Sequence, residues 1–193
     1  VLFGREKDAI AIERIKTFEP PEGYYVAFSG GKDSVVVLDL VKRAGVKYDA
    51  HYHVTGIDPP ELVHFIKREH PDVERVRPKI TMFAAIVKEQ CPPLRQQRWC
   101  CVQLKEGGGA GRLVVTGIRH AESNARAKRR MMETCFKDNT KTFFNPIIDW
   151  SDRDVWDYIN NRKVPYCKLY DEGYTRLGCI MCPMKPERER RKE

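Results

Sequence analysis

The sequence predicts an α/β fold: a mainly parallel, twisted sheet flanked by helices, with a small Cys-bearing appendage at the C-terminal end. Three observations carry this reading. Short apolar runs at Tyr24–Phe28 and Tyr48–Val54 alternate with segments of helical spacing, the pattern of βαβ units. Glycine and proline separate them, at Pro20-Pro21-Glu22-Gly23 and at Gly45. The 193 residues, 41% hydrophobic and 32% charged, suffice for one domain with a buried core.

Each element follows in order. Glu6–Phe18 places Ile12, Ile15 and Phe18 on one helical face. Tyr24–Phe28 is a buried strand. Asp33–Arg43, apolar on most sides and stopped by Gly45, is a buried helix. Tyr48–Val54 is the second strand. Pro60 suits the first turn of a helix over Pro60–His70. Val73–Val76 is a weak third strand, and Thr81 caps a helix reaching Gln90. Between Cys91 and Gly111 a helix begins near Cys100, and Gly107-Gly108-Gly109 forms a flexible loop. Leu113–Thr116 is a strand, Gly117–Arg130 a basic loop or helix start, and Phe143–Asn145 a short final strand. Ser151 caps a helix to Asn161, with Asp154 in the capping-box position. Glu187–Glu193 is nearly all charge and reads as a solvated or frayed end. One domain over residues 1–193, with residues 151–193 as C-terminal helix and Cys segment, is the simplest division.

Net charge is +8 and the pI is 9.1, a balance that suits polyanionic partners such as nucleotides or nucleic acid. No apolar run approaches the roughly 20 residues of a membrane span. Val1–Asp8 lacks the apolar length of a signal peptide, which predicts a cytoplasmic protein without membrane association. Val at position 1 in place of Met predicts that residues precede it. The seven Cys are odd in number, which argues against a disulfide framework and for metal binding or redox use.

The chemistry begins at Ser29-Gly30-Gly31-Lys32-Asp33-Ser34, between a strand and a helix. Helix-start N–H groups are unpaired and carry partial positive charge, and glycines let phosphate approach the backbone. Ser29 and Ser34 add hydroxyls, Lys32 adds charge, and Asp33 is expected to orient the loop or a metal. An ordinary glycine-bearing βα turn is the alternative. The Walker pattern G-x-x-x-x-G-K-[ST] is absent. A second stretch, Thr116-Gly117-Ile118-Arg119-His120-Ala121-Glu122-Ser123 with Arg126, follows a strand, where parallel sheets carry their ligand crevice. Arg119 and Arg126 can clamp phosphate or sulfate oxygens, and Glu122 can orient them. A solvated basic loop is the alternative.

Ser-Gly-Gly-Lys-Asp-Ser resembles the PP-loop of the adenine-nucleotide alpha-hydrolase superfamily. With the Thr-Gly-Ile-Arg stretch, Pro146–Ser151, Leu169–Tyr174 and Gly178-Cys179-Ile180-Met181-Cys182-Pro183, the chain from about Tyr24 to Met184 resembles the phosphoadenosine-phosphosulfate reductase family. The resemblance implies a nucleotide across the C-terminal sheet edge, held by Ser29, Gly30, Gly31, Lys32, Ser34, Thr55, Gly56, Gly117 and Glu122. It implies catalysis by Lys32, Asp33, Arg119 and Arg126. Val54-Thr55-Gly56 departs from the family's Asp-Thr-Gly, so the turn survives but that carboxylate is lost.

Cys100-Cys101 and Cys179-x-x-Cys182 supply four thiolates in two pairs, a soft-metal set. In the resembled family such an arrangement ligates a [4Fe–4S] cluster in the adenylyl-sulfate reductase branch, and a related cluster occurs in DNA-phosphorothioation enzymes. Zinc or bare thiols are the alternatives. Lys105 and Arg98 would offset the thiolates. Cys91, Cys135 and Cys167 read as ordinary thiols.

The reductases of this family attack sulfur with a Cys in a C-terminal segment, and no Cys follows Cys182 here. The expected activity is therefore ATP pyrophosphatase: Mg2+-ATP to AMP and pyrophosphate, activating an acceptor for sulfur transfer or nucleic-acid modification. Reduction of PAPS or APS to sulfite and a non-catalytic nucleotide-binding subunit are the alternatives. Expected partners are the nucleotide, a nucleic acid or sulfur-donor protein, and a second copy in a homodimer.

Overall fold

The computed structural model describes residues 6–185 and 187–191. Helix α1 (Lys7–Thr17) buries Ala11 and Ile15, four residues apart and so on one face. Strand β1 (Tyr24–Phe28) is nearly all buried and leads through the glycine loop into α2 (Lys32–Ala44). That helix lies under the sheet with Val35–Leu38, Leu40 and Val41 all buried, and it ends at Gly45 in the left-handed conformation, φ 70°.

The chain continues through β2 (Tyr48–His53), α3 (Pro60–Glu69), β3 (Glu74–Val76), α4 (Met82–Glu89) and α5 (Trp99–Leu104). It then forms β4 (Leu113–Val115), β5 (Met132–Cys135), β6 (Asp138–Phe144), α6 (Asp152–Arg162) and the short α7 (Glu187–Arg190). Single 3-10 turns occupy His120–Glu122, Arg126–Lys128 and Lys168–Tyr170. Thr81 caps α4, its hydroxyl accepting from the Ala84 N–H at 3.2 Å. Ser151 and Asp154 form a reciprocal capping box on α6.

Among the described residues the sheet has six strands in the order β3-β2-β1-β4-β6-β5, parallel except for β5 against β6. The order reverses at β1, which pairs with β2 on one side and β4 on the other. That switch point opens a crevice at the strand C-termini, between the loop after β1 and the loop after β4. The core gathers α1, α2, α3 and α6 around Tyr24, Val26, Phe28, Val115, Phe144 and Trp150.

The sheet corrects one expectation. The final strand is not confined to Phe143–Asn145: β6 starts at Asp138 and forms a hairpin with β5, which lies just past the expected basic loop. Thr134, Asp138, Asn139, Thr140, Lys141 and Thr142 give this outer pair almost no apolar alternation, because an edge hairpin needs only one thin buried side. At the tail, Glu187–Arg190 makes a helical turn that Arg191 braces through Glu187, at 2.6 Å. Expectations for Val1–Arg5, Lys192 and Glu193 lie outside the described residues. Among the described residues no helix is long and apolar enough to cross a membrane.

Candidate nucleotide site

The loop after β1 is shaped by its glycines. Gly30 has φ 71°, and a Cβ there would stand 2.7 Å from the Leu62 and Ile66 methyls of α3. Ser29 and Ser34 bond across the loop through their hydroxyls at 3.1 Å, and Ser34 Oγ donates to the Gly31 carbonyl at 2.9 Å. The Lys32 N–H donates to the Tyr170 hydroxyl at 2.8 Å. Among the described residues the N–H groups of Gly30, Gly31, Asp33 and Ser34 find no acceptor. These open donors at the N-terminus of a 13-residue helix form an anion cradle.

Behind the cradle sits an ion network centred on a buried arginine. Arg119 is 1% exposed. Its Nε donates to Asp33 Oδ1 at 2.7 Å, one Nη to the Trp150 carbonyl at 3.1 Å and the other to Asp152 Oδ1 at 2.7 Å. Lys32 Nζ lies 3.1 Å from Asp33 and 3.5 Å from Asp152. Burial works against charge on Arg119, but the two carboxylates outweigh it and raise its pKa. Burial likewise opposes charge on Asp152, yet Arg119 and Lys32 hold its carboxyl below the usual range. Arg119 thus gives three of its five N–H donors to protein acceptors and fixes the position of Asp33. Gly117 permits the approach, since a Cβ there would meet the Asp33 carbonyl carbon at 2.9 Å. Glu122 accepts from the Arg119 N–H at 2.9 Å and ion-pairs with Arg126, whose side chain is 34% exposed.

Thr55 and Gly56 lie on the turn after β2. Thr55 is 1% exposed and Gly56 has φ 77°. Asp58, four residues after Val54, puts a carboxylate on this turn. Its Oδ2 accepts from the hydroxyls of Tyr52 at 2.6 Å and Thr55 at 2.8 Å, and Lys105 stands 3.7 Å from its other oxygen. Burial opposes charge on Lys105, but Asp58 and Cys179 raise its pKa.

The same turn receives the cysteines. Cys179 Sγ lies 3.8 Å from Thr55 Oγ1, and the Ile180 N–H donates to the Ile57 carbonyl at 2.8 Å. Arg98 donates to Cys101 Sγ at 3.4 Å. Burial, then the neighbouring Cys101, pushes the Cys100 thiol up to about 11, and Cys179 adds to the shift. Cys182 is near enough to help hold the Arg98 pKa up. The two Cys pairs thus share one neighbourhood with Arg98 and Lys105. They do not close on one ion: among the described residues no three His, Cys, Asp or Glu side chains are grouped to hold a metal. Cys91, Cys100, Cys101, Cys135, Cys167, Cys179 and Cys182 are all free thiols.

Three residues of this region escaped the sequence reading. Asp152 gave a signal only as the first acid of α6, where it reads as a helix-dipole partner. Asp58 stands three residues after Thr55, a local turn spacing. Tyr170 stands in the Leu169–Tyr174 stretch without a role of its own, because its contact with Lys32 spans 138 residues of sequence. Two surface concavities, of ≈ 370 and ≈ 480 Å³, lie against α3 and α6 and against α1, and neither is lined by a residue of Ser29–Ser34.

Comparison with known proteins places this arrangement. The phosphoadenosine phosphosulfate reductase domain matches residues 23–185. An uncharacterized protein of Methanocaldococcus jannaschii is 34% identical over 95% of this chain and 41% of its own length. The chain thus spans about two fifths of that relative. Adenosine 5'-phosphosulfate reductase of a Geobacillus species is 26% identical over 81% of this chain and 71% of its own. Among solved structures, phosphoadenylyl-sulfate reductase from Candida auris, a phosphate complex, superposes with TM-score 0.67 at 19% identity, covering 93% of this chain and 90% of its own. Candida glabrata FMN adenylyltransferase with FAD and inorganic pyrophosphate gives TM-score 0.61 at 16% identity, over 93% and 68%. These two likenesses are of fold. From the match over residues 23–185, the chain belongs to the phosphoadenosine phosphosulfate reductase domain family of PP-loop, nucleotide-binding proteins.

Proposed function

We propose that this chain is an ATP pyrophosphatase: it binds Mg2+-ATP at Ser29–Ser34, cleaves between the α and β phosphates and passes AMP to an acceptor. The observation that carries this reading is the set of open N–H groups at Gly30, Gly31, Asp33 and Ser34 beside the Lys32 ammonium. They suit a leaving pyrophosphate, whose charge grows as the α–β bridge breaks. An acceptor oxygen would bond to the α phosphorus and lose its proton to solvent while the bridging oxygen leaves with pyrophosphate; water in the acceptor's place gives AMP. Asp33, fixed by Arg119, would hold Lys32 in place, and Arg126 would meet charge at the β4 side of the crevice. Gly117, Thr55, Gly56 and Glu122 would shape the walls. Mg2+ would arrive on the phosphate oxygens of ATP, as this ion commonly does. The structurally similar adenylyltransferase, solved with pyrophosphate, fits this choice of bond.

A [4Fe–4S] cluster would be held by Cys100, Cys101, Cys179 and Cys182, whose soft thiol donors suit it once the pairs close. Bound there, it would supply fixed charge beside the Thr55 turn. The acceptor class in this reading is a sulfur-transfer substrate or a nucleic acid, consistent with the net charge of +8.

Reduction of a sulfated adenine nucleotide is the second reading, favoured by the Geobacillus relative named as such a reductase. Purified protein given Mg2+-ATP should release AMP and pyrophosphate in equal amounts. Sulfite from APS or PAPS with thioredoxin would move the assignment to the second reading, binding without product would make the chain an accessory subunit, and ADP with phosphate would refute the pyrophosphatase. Anaerobic reconstitution with iron and sulfide should give broad absorbance near about 400 nm.

A further inference from the structure

We propose that Tyr170 is a nucleotide-binding residue whose hydroxyl donates to a phosphate oxygen held in the Ser29–Ser34 cradle. This deepens the nucleotide reading of that loop and depends on it. The phenol reaches the cradle from the far end of the chain. It takes the Lys32 N–H at 2.8 Å, and a Cβ at Gly31 would lie 3.5 Å from both its oxygen and Ser29 Oγ. Two hydroxyls therefore flank the Gly31 backbone, one from the loop after β1 and one from the 3-10 turn Lys168–Tyr170.

The hydrogen-bond capacity of that hydroxyl decides what it can do. A phenol oxygen accepts and its hydrogen donates. The Lys32 N–H donates to the oxygen, which acts as an acceptor within the protein. Among the described residues no acceptor takes its hydrogen. The ring is held in place, with Trp156 at 5.3 Å and Tyr166 at 6.4 Å between centroids. Burial raises the Tyr170 pKa above its ordinary value, so the group keeps its proton at neutral pH. A neutral, clamped O–H beside open backbone donors completes the cradle, and an entering phosphate oxygen is the missing acceptor.

A plain helix cap would behave differently. Removing the hydroxyl would then free the Lys32 N–H for the anion and leave binding unchanged or tighter. The test is calorimetric titration of wild type and Tyr170→Phe with inorganic pyrophosphate, ATP and adenosine. The expected result is about 10–150-fold weaker binding of pyrophosphate and ATP by the variant, the loss of one hydrogen bond to a charged group. Adenosine binding should not change. Equal or tighter pyrophosphate binding overturns the proposal, as does an equal loss for adenosine and ATP. Wild type that binds neither pyrophosphate nor ATP overturns the nucleotide reading itself. Should Tyr170→Phe not fold, 3-fluorotyrosine at position 170 retains the ring and makes the hydroxyl a stronger donor. Tighter pyrophosphate binding then supports the proposal, and unchanged affinity overturns it.

Discussion

Arg119 Nε donates to Asp33 Oδ1 at 2.7 Å, joining the loop after β4 to the first turn of α2. The two residues are 86 positions apart, and their contact spans the crevice at the switch point. Removing the cation leaves Asp33 facing Lys32 alone and Asp152 half released. Arg119→Met should therefore lower stability by about 3 kcal/mol, at the low end for a broken buried pair because Asp152 is partly solvated. Nucleotide affinity should fall at least about tenfold as Asp33 and Lys32 lose their fixed positions. Urea unfolding and ATP titration check the two parts.

Gly30 and Gly56 both have positive φ, 71° and 77°, but only Gly30 is crowded. Gly56→Ala should cost about 1 kcal/mol, the left-handed backbone penalty alone. Gly30→Ala adds a collision with Leu62 and Ile66, and overpacking adds about 1–3 kcal/mol. Because the strain falls on the cradle, Gly30→Ala should also weaken pyrophosphate binding, whereas Gly56→Ala should leave it intact. Thermal melts and pyrophosphate titration of both variants separate the effects.

Legibility in the sequence follows the range of the interactions. The α2 helix was readable because Val35–Leu40 and Gly45 lie in one local run, and α6 because Ser151 and Asp154 cap it three residues apart. The parallel sheet followed from the alternation of such runs. The β5–β6 hairpin was not readable, since its polar residues leave no apolar alternation and Phe144 is its residue in the core. At the crevice, Arg119 was readable as a cation near phosphate chemistry. Its partners Trp150 and Asp152 were not, and with Asp33 they take three of its five N–H donors. The Val54 departure pointed to a lost carboxylate, and only folding shows Asp58 turned back onto Thr55.

Asp58 makes a separate prediction. Its side chain is 2% exposed, and it accepts from Tyr52 and Thr55 while facing Lys105. Asp58→Asn conserves shape but places an amide donor near these hydroxyls and leaves Lys105 without its nearest anion. The expected loss is about 1–3 kcal/mol. Burial raises the Cys179 pKa, Lys105 opposes that, and Asp58 adds to it. The variant should therefore titrate Cys179 at lower pH. Iodoacetamide labelling of Cys179 against pH, read by mass spectrometry, should show the shift.

His70 sets the behaviour at mildly acidic pH. It is 7% exposed, and its ring lies 4.8 Å from Phe28 and 5.3 Å from Phe65 between centroids. Neither ring nitrogen has a hydrogen-bond partner among the described residues. Burial, then the nearby Lys42, lowers its pKa below the ordinary value of 6.5. The unfolded chain therefore takes up a proton on His70 before the folded chain does. By linkage, stability is complete above about pH 6.5 and falls as pH drops from there toward the lowered folded value. His53, lowered by burial and then by His51, acts in the same direction. His70→Leu removes one titrating group and fills the same apolar site between the two Phe rings. Urea midpoints at pH 7.5 and 5.5 should differ less for the variant than for wild type. An unchanged difference would assign the acid sensitivity to His53 or the carboxylates instead.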